Sequence, residues 1–91
     1  MRIDLHMHST FSDGFKSPTT LVEMAAAKKL VAISLTDHDS VDGLSEAIRA
    51  GGEHGVEVVA GVELSCEYRG RDLHVLGYGV DPHDDAFRSA L

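Results

Sequence analysis

Six histidines among 91 residues are the compositional oddity of this chain, and several stand at spacings that suit a metal ion. His6 and His8 are two apart in Ile3-Asp4-Leu5-His6-Met7-His8. On a strand that spacing sends both imidazoles to one face, so one rigid element offers a cation two nitrogen ligands. Asp4 shares the face, and the Ser/Asp/Gly loop from Ser9 to Gly14 suits a site that must admit substrate. Taken alone, the pair also reads as two polar residues on the wet side of a strand. His38 lies within Thr36-Asp37-His38-Asp39, directly after an apolar run. A ligating imidazole commonly donates its second ring N–H to a carboxylate that fixes the tautomer, a task that suits Asp37 or Asp39. Asp39 is equally suited to cap the helix that follows. Glu63 interrupts the apolar run Val58 to Leu64. A carboxylate in a buried strand is costly unless paired or metal-bound, and no Lys or Arg stands near it in sequence. A bound cation is the better reading, and a carboxylate can bridge two of them. His74, between Leu73 and Val75, reads either as a ligand or as a satisfied core histidine. His54, near a helix C-terminus, and His83, after Pro82 in an acidic stretch, read as surface residues.

These side chains need elements to hold them. Ile3 to Met7 alternates as a strand. Ser17 and Pro18 open a helix in which Leu21, Val22, Met24, Ala25 and Leu30 recur at helical spacing. Val31 to Leu35 reads as a buried strand, Ser40 to Arg49 as a second helix ended by Gly51, Gly52 and Gly55. Val56 to Val62 is a third strand, extendable to Tyr68. Arg69-Gly70-Arg71-Asp72 is a hairpin turn, Leu73 to Tyr78 a fourth strand, and Asp84 to Leu91 a last helix. Strand, helix, strand, helix, strand predicts an α/β fold of parallel βαβ units with right-handed crossovers and a short hairpin. Chemistry in such folds gathers at the carboxyl ends of the strands, where His6, His8, His38 and Glu63 are expected to meet.

Composition narrows the function further. A hydrophobic share of 43% with 25% charged residues is that of a globular chain, not a disordered one. The length falls far below the roughly 200 residues of a closed (β/α)8 barrel. The net charge of -7 argues against broad nucleic-acid binding through a basic surface, yet metal ions can supply the positive charge that phosphates need. One cysteine excludes an internal disulfide and a cysteine-based zinc site, and Cys66 is expected to be a small buried hydrophobe. Lys28 and Lys29 interrupt the longest apolar stretch, so no membrane span is expected. Asp4 precedes any apolar stretch, so no signal peptide is expected and the address reads as cytoplasmic.

Five blocks in order, Asp4-Leu5-His6-Met7-His8-Ser9, Ser12-Asp13-Gly14, Thr36-Asp37-His38-Asp39, Gly61-Val62-Glu63-Leu64-Ser65 and His74-Val75-Leu76-Gly77-Tyr78, resemble the PHP (polymerase and histidinol phosphatase) superfamily. Within it the chain is most similar to small phosphoesterases acting on nucleoside 3′,5′-bisphosphates, or on 5′-phosphorylated short nucleic acids as 5′-to-3′ exonucleases. The resemblance implies the N-terminal portion of a distorted (β/α)7 barrel over residues 1–91, incomplete relative to the family. It implies two or three divalent metals, manganese foremost, with zinc or magnesium as alternatives. By position, His6, His8 and Glu63 hold the first metal, Glu63 bridges to a second shared with His74, and Asp13 with His38 helps bind a third. Asp13 enters only through the resemblance; on its own it belongs to a plain Ser-Asp-Gly turn. Family members draw further ligands, another His and an Asp-x-His pair, from later strands that this sequence does not contain.

The implied reaction is phosphoester hydrolysis by metal-activated water, with Glu63, His8 and His38 as the catalytic set and a nucleotide or short oligonucleotide as substrate. Arg69 and Arg71 read as a solvated hairpin tip, with phosphate contact as the alternative. The rival is an incomplete PHP module that holds metal without turnover, completed by a missing C-terminal part or by self-association. A second rival is an amidohydrolase-type enzyme, which also opens with His-x-His; it wants a carboxylated Lys or later His ligands, and no Lys lies at a predicted strand end.

Overall fold

Strand β1 (Ile3–Met7), helix α1 (Pro18–Ala27), strand β2 (Ala32–Leu35), helix α2 (Leu44–His54), strand β3 (Glu57–Tyr68), strand β4 (Arg71–Tyr78) and helix α3 (Asp85–Ala90) follow one another in a computed structural model describing residues 1–91. The strands form one sheet in the order β1-β2-β3-β4. β1 pairs with β2 and β2 with β3 in parallel, each through a helical crossover, whereas β3 and β4 form an antiparallel hairpin. Tyr78 on β4 donates its hydroxyl to the Leu5 carbonyl on β1 at 2.7 Å. A bond between the two outermost strands means that the sheet is curled into a half-barrel.

Local signals account for the helices. Ser17 Oγ accepts from the Thr20 amide at 3.1 Å, and Pro18 takes the first helical position, where its missing N–H costs nothing. No acidic residue stands in the first turn of α1. Glu46 of α2 fills that role, accepting from the Thr19 amide and hydroxyl at 2.9 and 2.8 Å. α2 ends at Gly55, whose φ of 70° is left-handed backbone that glycine adopts without strain. Both helices pack on one face of the sheet. Val22 and Ala25 of α1, Leu44, Ala47 and Ala50 of α2, Ile33 and Leu35 of β2, and Val56 and Val62 at β3 form the buried core. By strand alternation Ser34 and Thr36 turn to the opposite, concave face.

Several boundaries differ from expectation. α2 begins at Leu44, four residues later than Ser40, because Asp39 adopts a left-handed φ of 50° and spends its carboxylate on the Ser65 amide at 2.8 Å. Asp39 therefore does not cap α2, which has Gly43 at that position and no side-chain cap. The helix runs through Gly51 and Gly52 and stops at Gly55. Leu30 lies beyond α1 but still packs against the core. β3 takes the longer of its two expected extents, to Tyr68, so Glu63 sits within the strand and not at its end. Cys66 is exposed, not buried, because that end of β3 has β4 as its only neighbour. Ile3, Leu5, Leu73, Val75, Leu76 and Tyr78 on the two outer strands are also exposed. No helix is long and apolar enough to cross a membrane.

Candidate metal centre

Two strand ends and one strand centre deliver the histidines to a single acid. Alternation along β1 puts His6 and His8 on the concave face, as their spacing predicts. His38 follows β2 and is held by a bridge to β3: the Glu63 amide donates to the Asp37 carbonyl at 3.0 Å and the Asp39 amide to the Glu63 carbonyl at 2.9 Å. On β4, His74 lies opposite Ser65, which makes it the diagonal neighbour of Glu63 on the same face.

Glu63 is 6% exposed and stands at the centre. Its Oε1 lies 2.7 Å from His6 Nε2 and 2.9 Å from His8 Nε2, and its Oε2 lies 2.8 Å from His74 Nδ1 and 3.7 Å from His38 Nδ1. Burial pushes this carboxyl's pKa up, but the bonds with His6, His74 and His8, helped by the charge of His38, outweigh it and hold it at about 2. The acid is therefore ionised at any neutral pH. Asp13 occupies the other side of the ring cluster, with His8 Nδ1 at 3.0 Å from Oδ1 and His38 Nε2 at 3.3 Å from Oδ2. His8 and His38 thus each place one ring nitrogen toward Glu63 and the other toward Asp13. The four rings form an arc, with centroid separations of 5.1 Å from His6 to His8, 4.3 Å from His8 to His38 and 5.5 Å from His38 to His74.

Three groups in this arc gather ligand atoms within 4.8 Å of one another: His6, His8 and Glu63; His8, Asp13 and His38; and His38, Glu63 and His74. Each mixes imidazole nitrogen with carboxylate oxygen, the donor set that first-row divalent cations and zinc accept. The donor chemistry fits a divalent metal. All six predicted ligand residues come together here. His54 does not; it is exposed on α2, 3.9 Å from Glu23, and His83 is exposed near α3. Asp4 stays out of the cluster and accepts from the His6 amide at 3.1 Å.

The flanking carboxylates of His38 act differently from expectation. Neither Asp37 nor Asp39 receives a histidine N–H. Asp37 is buried against Ser9 and Ser12, and Asp39 binds the Ser65 amide, a bond that heads the causes holding its pKa below the ordinary value. The Ser9–Ser12–Asp37 network and the Tyr78–Leu5 bond were missed by sequence reasoning. Their partners are 25 or more residues apart, so no local pattern marks them.

Comparison with known proteins gives a consistent picture. The PHP domain family model matches residues 4–88. The 3′,5′-nucleoside bisphosphate phosphatase of Chromobacterium violaceum is 40% identical over 98% of this chain, and the 5′-3′ exoribonuclease of Haemophilus influenzae is 45% identical over 88%. Among solved structures, an amidohydrolase from Chromobacterium violaceum with bound sulfate and no metal superposes with a TM-score of 0.93 at 39% identity over 98% of the chain. The chain spans 31% and 29% of the two curated relatives and 31% of the solved chain, and it matches the N-terminal part of a PHP barrel.

Proposed function

We propose that this chain, which belongs to the PHP domain family, is the N-terminal, metal-holding part of a phosphoesterase that hydrolyses phosphate esters of nucleotides or of short 5′-phosphorylated nucleic acids. The observation that carries the reading is Glu63, one buried and ionised carboxylate reached by three imidazoles at 2.7 to 2.9 Å. Relatives of at least 40% identity named as a nucleoside bisphosphate phosphatase and an exoribonuclease supply the substrate class.

His6, His8 and Glu63 would hold one cation, Glu63 with His74 a second, and Asp13 with His38 would help hold a third, which the other ring nitrogen of His8 borders. The PHP resemblance makes manganese the first choice, with zinc and magnesium as alternatives; mixed imidazole and carboxylate donors do not by themselves select among the three. When bound, such cations acidify water and draw charge from phosphoryl oxygens, which is the chemistry that ester hydrolysis needs. The chain's own residues fix where that happens. Glu63 contributes a full negative charge because its carboxyl stays ionised. His8 and His38, with both ring nitrogens directed at acids, keep the Glu63 and Asp13 sides of the cluster at a set separation. Those three residues, Glu63, His8 and His38, are the proposed catalytic set. A free Cys66 accords with a cytoplasmic location. The exposed apolar residues of β1 and β4 accord with cover by further barrel strands or by a second copy.

The test is a hydrolysis assay on the purified, manganese-loaded chain, using a nucleoside 3′,5′-bisphosphate and a 5′-phosphorylated oligoribonucleotide. Phosphate or nucleotide release that chelator and His8→Ala both abolish is the expected result. A folded chain that binds no divalent ion overturns the reading. Ions bound without turnover would assign the chain the metal-holding role alone.

A further inference from the structure

We infer that Asp37 is a positioning residue: its buried carboxylate fixes the loop that carries Asp13, and thereby decides how well the His8–Asp13–His38 group closes on a cation. The inference rests on the metal-holding reading above. Asp37 is 2% exposed. Its Oδ1 accepts from the Ser9 amide at 2.6 Å and from the Ser12 hydroxyl at 2.8 Å, and its Oδ2 accepts from the Ser9 hydroxyl at 2.7 Å. No Lys, Arg or His pairs with it. A buried carboxylate without a cation depends on such donors, so loop and acid hold each other.

The main chain of Asp37 is engaged as well. Its carbonyl accepts from the Glu63 amide at 3.0 Å, and His38 is the next residue. Ser9, in turn, directly follows His8. One residue therefore ties together the segments that carry His8, Asp13, His38 and Glu63. The loop itself is wound about Ser9, whose carbonyl accepts from the Ser12 and Gly14 amides at 3.1 and 2.9 Å. At Gly14 a Cβ would collide with the His8 carbonyl oxygen, so a side chain there would break the winding. Asp13 has no such anchor of its own. Its side chain is 64% exposed, and the His8 and His38 rings are its only side-chain partners within 4 Å among the ionisable groups. The path that places it runs through the loop to Asp37.

Substitutions separate this role from plain structural support. Asn at 37 can keep its amide oxygen on the Ser9 amide and offer its nitrogen to the Ser9 hydroxyl, which can accept. Ala leaves all three donors without a partner, and Ser12→Ala removes one donor on the loop side alone. The experiment is a cobalt(II) or manganese(II) titration of the full chain, read by visible absorption or by metal count, with amide hydrogen exchange on the metal-free protein. Asp37→Ala and Ser12→Ala are expected to weaken the Asp13-containing group by about 10- to 100-fold, the usual reach of a residue behind a ligand. Asp37→Asn is expected to stay near wild type. In an Asp13→Ala background, Ser12→Ala should cost nothing more, and exchange at the Ser9 and Gly14 amides should quicken in the Ser12→Ala chain.

Affinity unchanged by Ser12→Ala, or lowered equally with and without Asp13, overturns the inference. If Asp37→Ala does not fold, the Ser12→Ala and Asp37→Asn arms decide. A wild-type chain that binds no divalent ion defeats the metal-holding reading instead, and quickened exchange in Ser12→Ala would then still report the anchored loop.

Discussion

Replacing Glu63 by Gln exchanges one carboxylate oxygen for an amide nitrogen and removes the charge at the centre of the arc. Oε1 serves His6 and His8, while Oε2 serves His74 and faces His38. Whichever end the amide nitrogen takes, at least one imidazole nitrogen loses its acceptor. Two of the three ligand groups contain Glu63 and one does not. The expected loss is therefore selective. Unit charges about 4 Å apart interact by about 4 kcal/mol at an effective dielectric constant near 20. If rearrangement and water recover half of that, roughly 2 kcal/mol remains, which is on the order of a 30-fold loss in affinity. The two Glu63 groups should weaken by at least that factor, while the His8–Asp13–His38 group keeps its affinity. A chelator-buffered cobalt(II) titration, with metal counted on the dialysed protein, measures both. An unchanged ion count and affinity would refute the sharing of one acid by two cations. A loss spread evenly over all sites would refute the independence of the Asp13 group.

Further outcomes follow from the same geometry. In chelator, the Glu63 carboxyl titrates near 2 in the folded chain against an ordinary value of 4.5, so the unfolded chain binds more protons between those values. The stability it contributes is present above about pH 4.5 and is lost as pH falls toward 2; the gap between the wild-type and Glu63→Gln melting temperatures should shrink over that range. Leu44→Ala removes an α2 side chain that is 1% exposed in the core, and should cost about 2–5 kcal/mol, lowering the melting temperature by at least ~8 °C by circular dichroism. His54→Ala, on the outer side of α2, should leave metal content unchanged; a clear loss would mean that the site extends beyond the arc. Adding Leu76→His to His74→Ala should restore part of the metal binding, since position 76 lies opposite Glu63 on the same face, whereas adding Val75→His should restore none.

The parts of the site legible in the sequence were those written in strand period. His6 and His8 share a face because a strand alternates, and Glu63 stood out because a charge broke an apolar run. Ser17-Pro18 marked the start of α1 for equally local reasons. The rest depends on partners distant in the chain. Asp39 resembles a helix cap with Ser40 as the first helical residue, and nothing in residues 40–43 forbids a helix. The start of α2 is delayed by an Asp39 carboxylate committed to Ser65, 26 residues away. Asp37 resembled a partner for His38 because it is adjacent to it, yet its side chain turns to Ser9 and Ser12. Cys66 continues an apolar run whose burial ends once β2 no longer lies beside β3. Asp13 carried no local signal at all. Its place between His8 and His38 follows from a loop conformation that only the folded chain defines.

The change of pairing direction along β3 is what turns four short segments into one cluster. Up to Ala60 the strand runs parallel to β2, which brings the ends of β1 and β2, with His8 and His38, to the same rim. At Glu63 the bridge to His38 closes that rim, and beyond it β3 has only the antiparallel return of β4. That return delivers His74 from the opposite direction, something a purely parallel sheet would need another crossover to achieve. The two faces of β3 divide the work at adjacent residues. Val62, wholly buried, is locked into the core beneath α1 and α2, and Glu63 projects from the other side. The central acid is thus positioned by the strand that is paired on both sides and packed into the core. His74 arrives on an exposed ribbon and is held by its bond to that acid, so the second cation site is expected to order last.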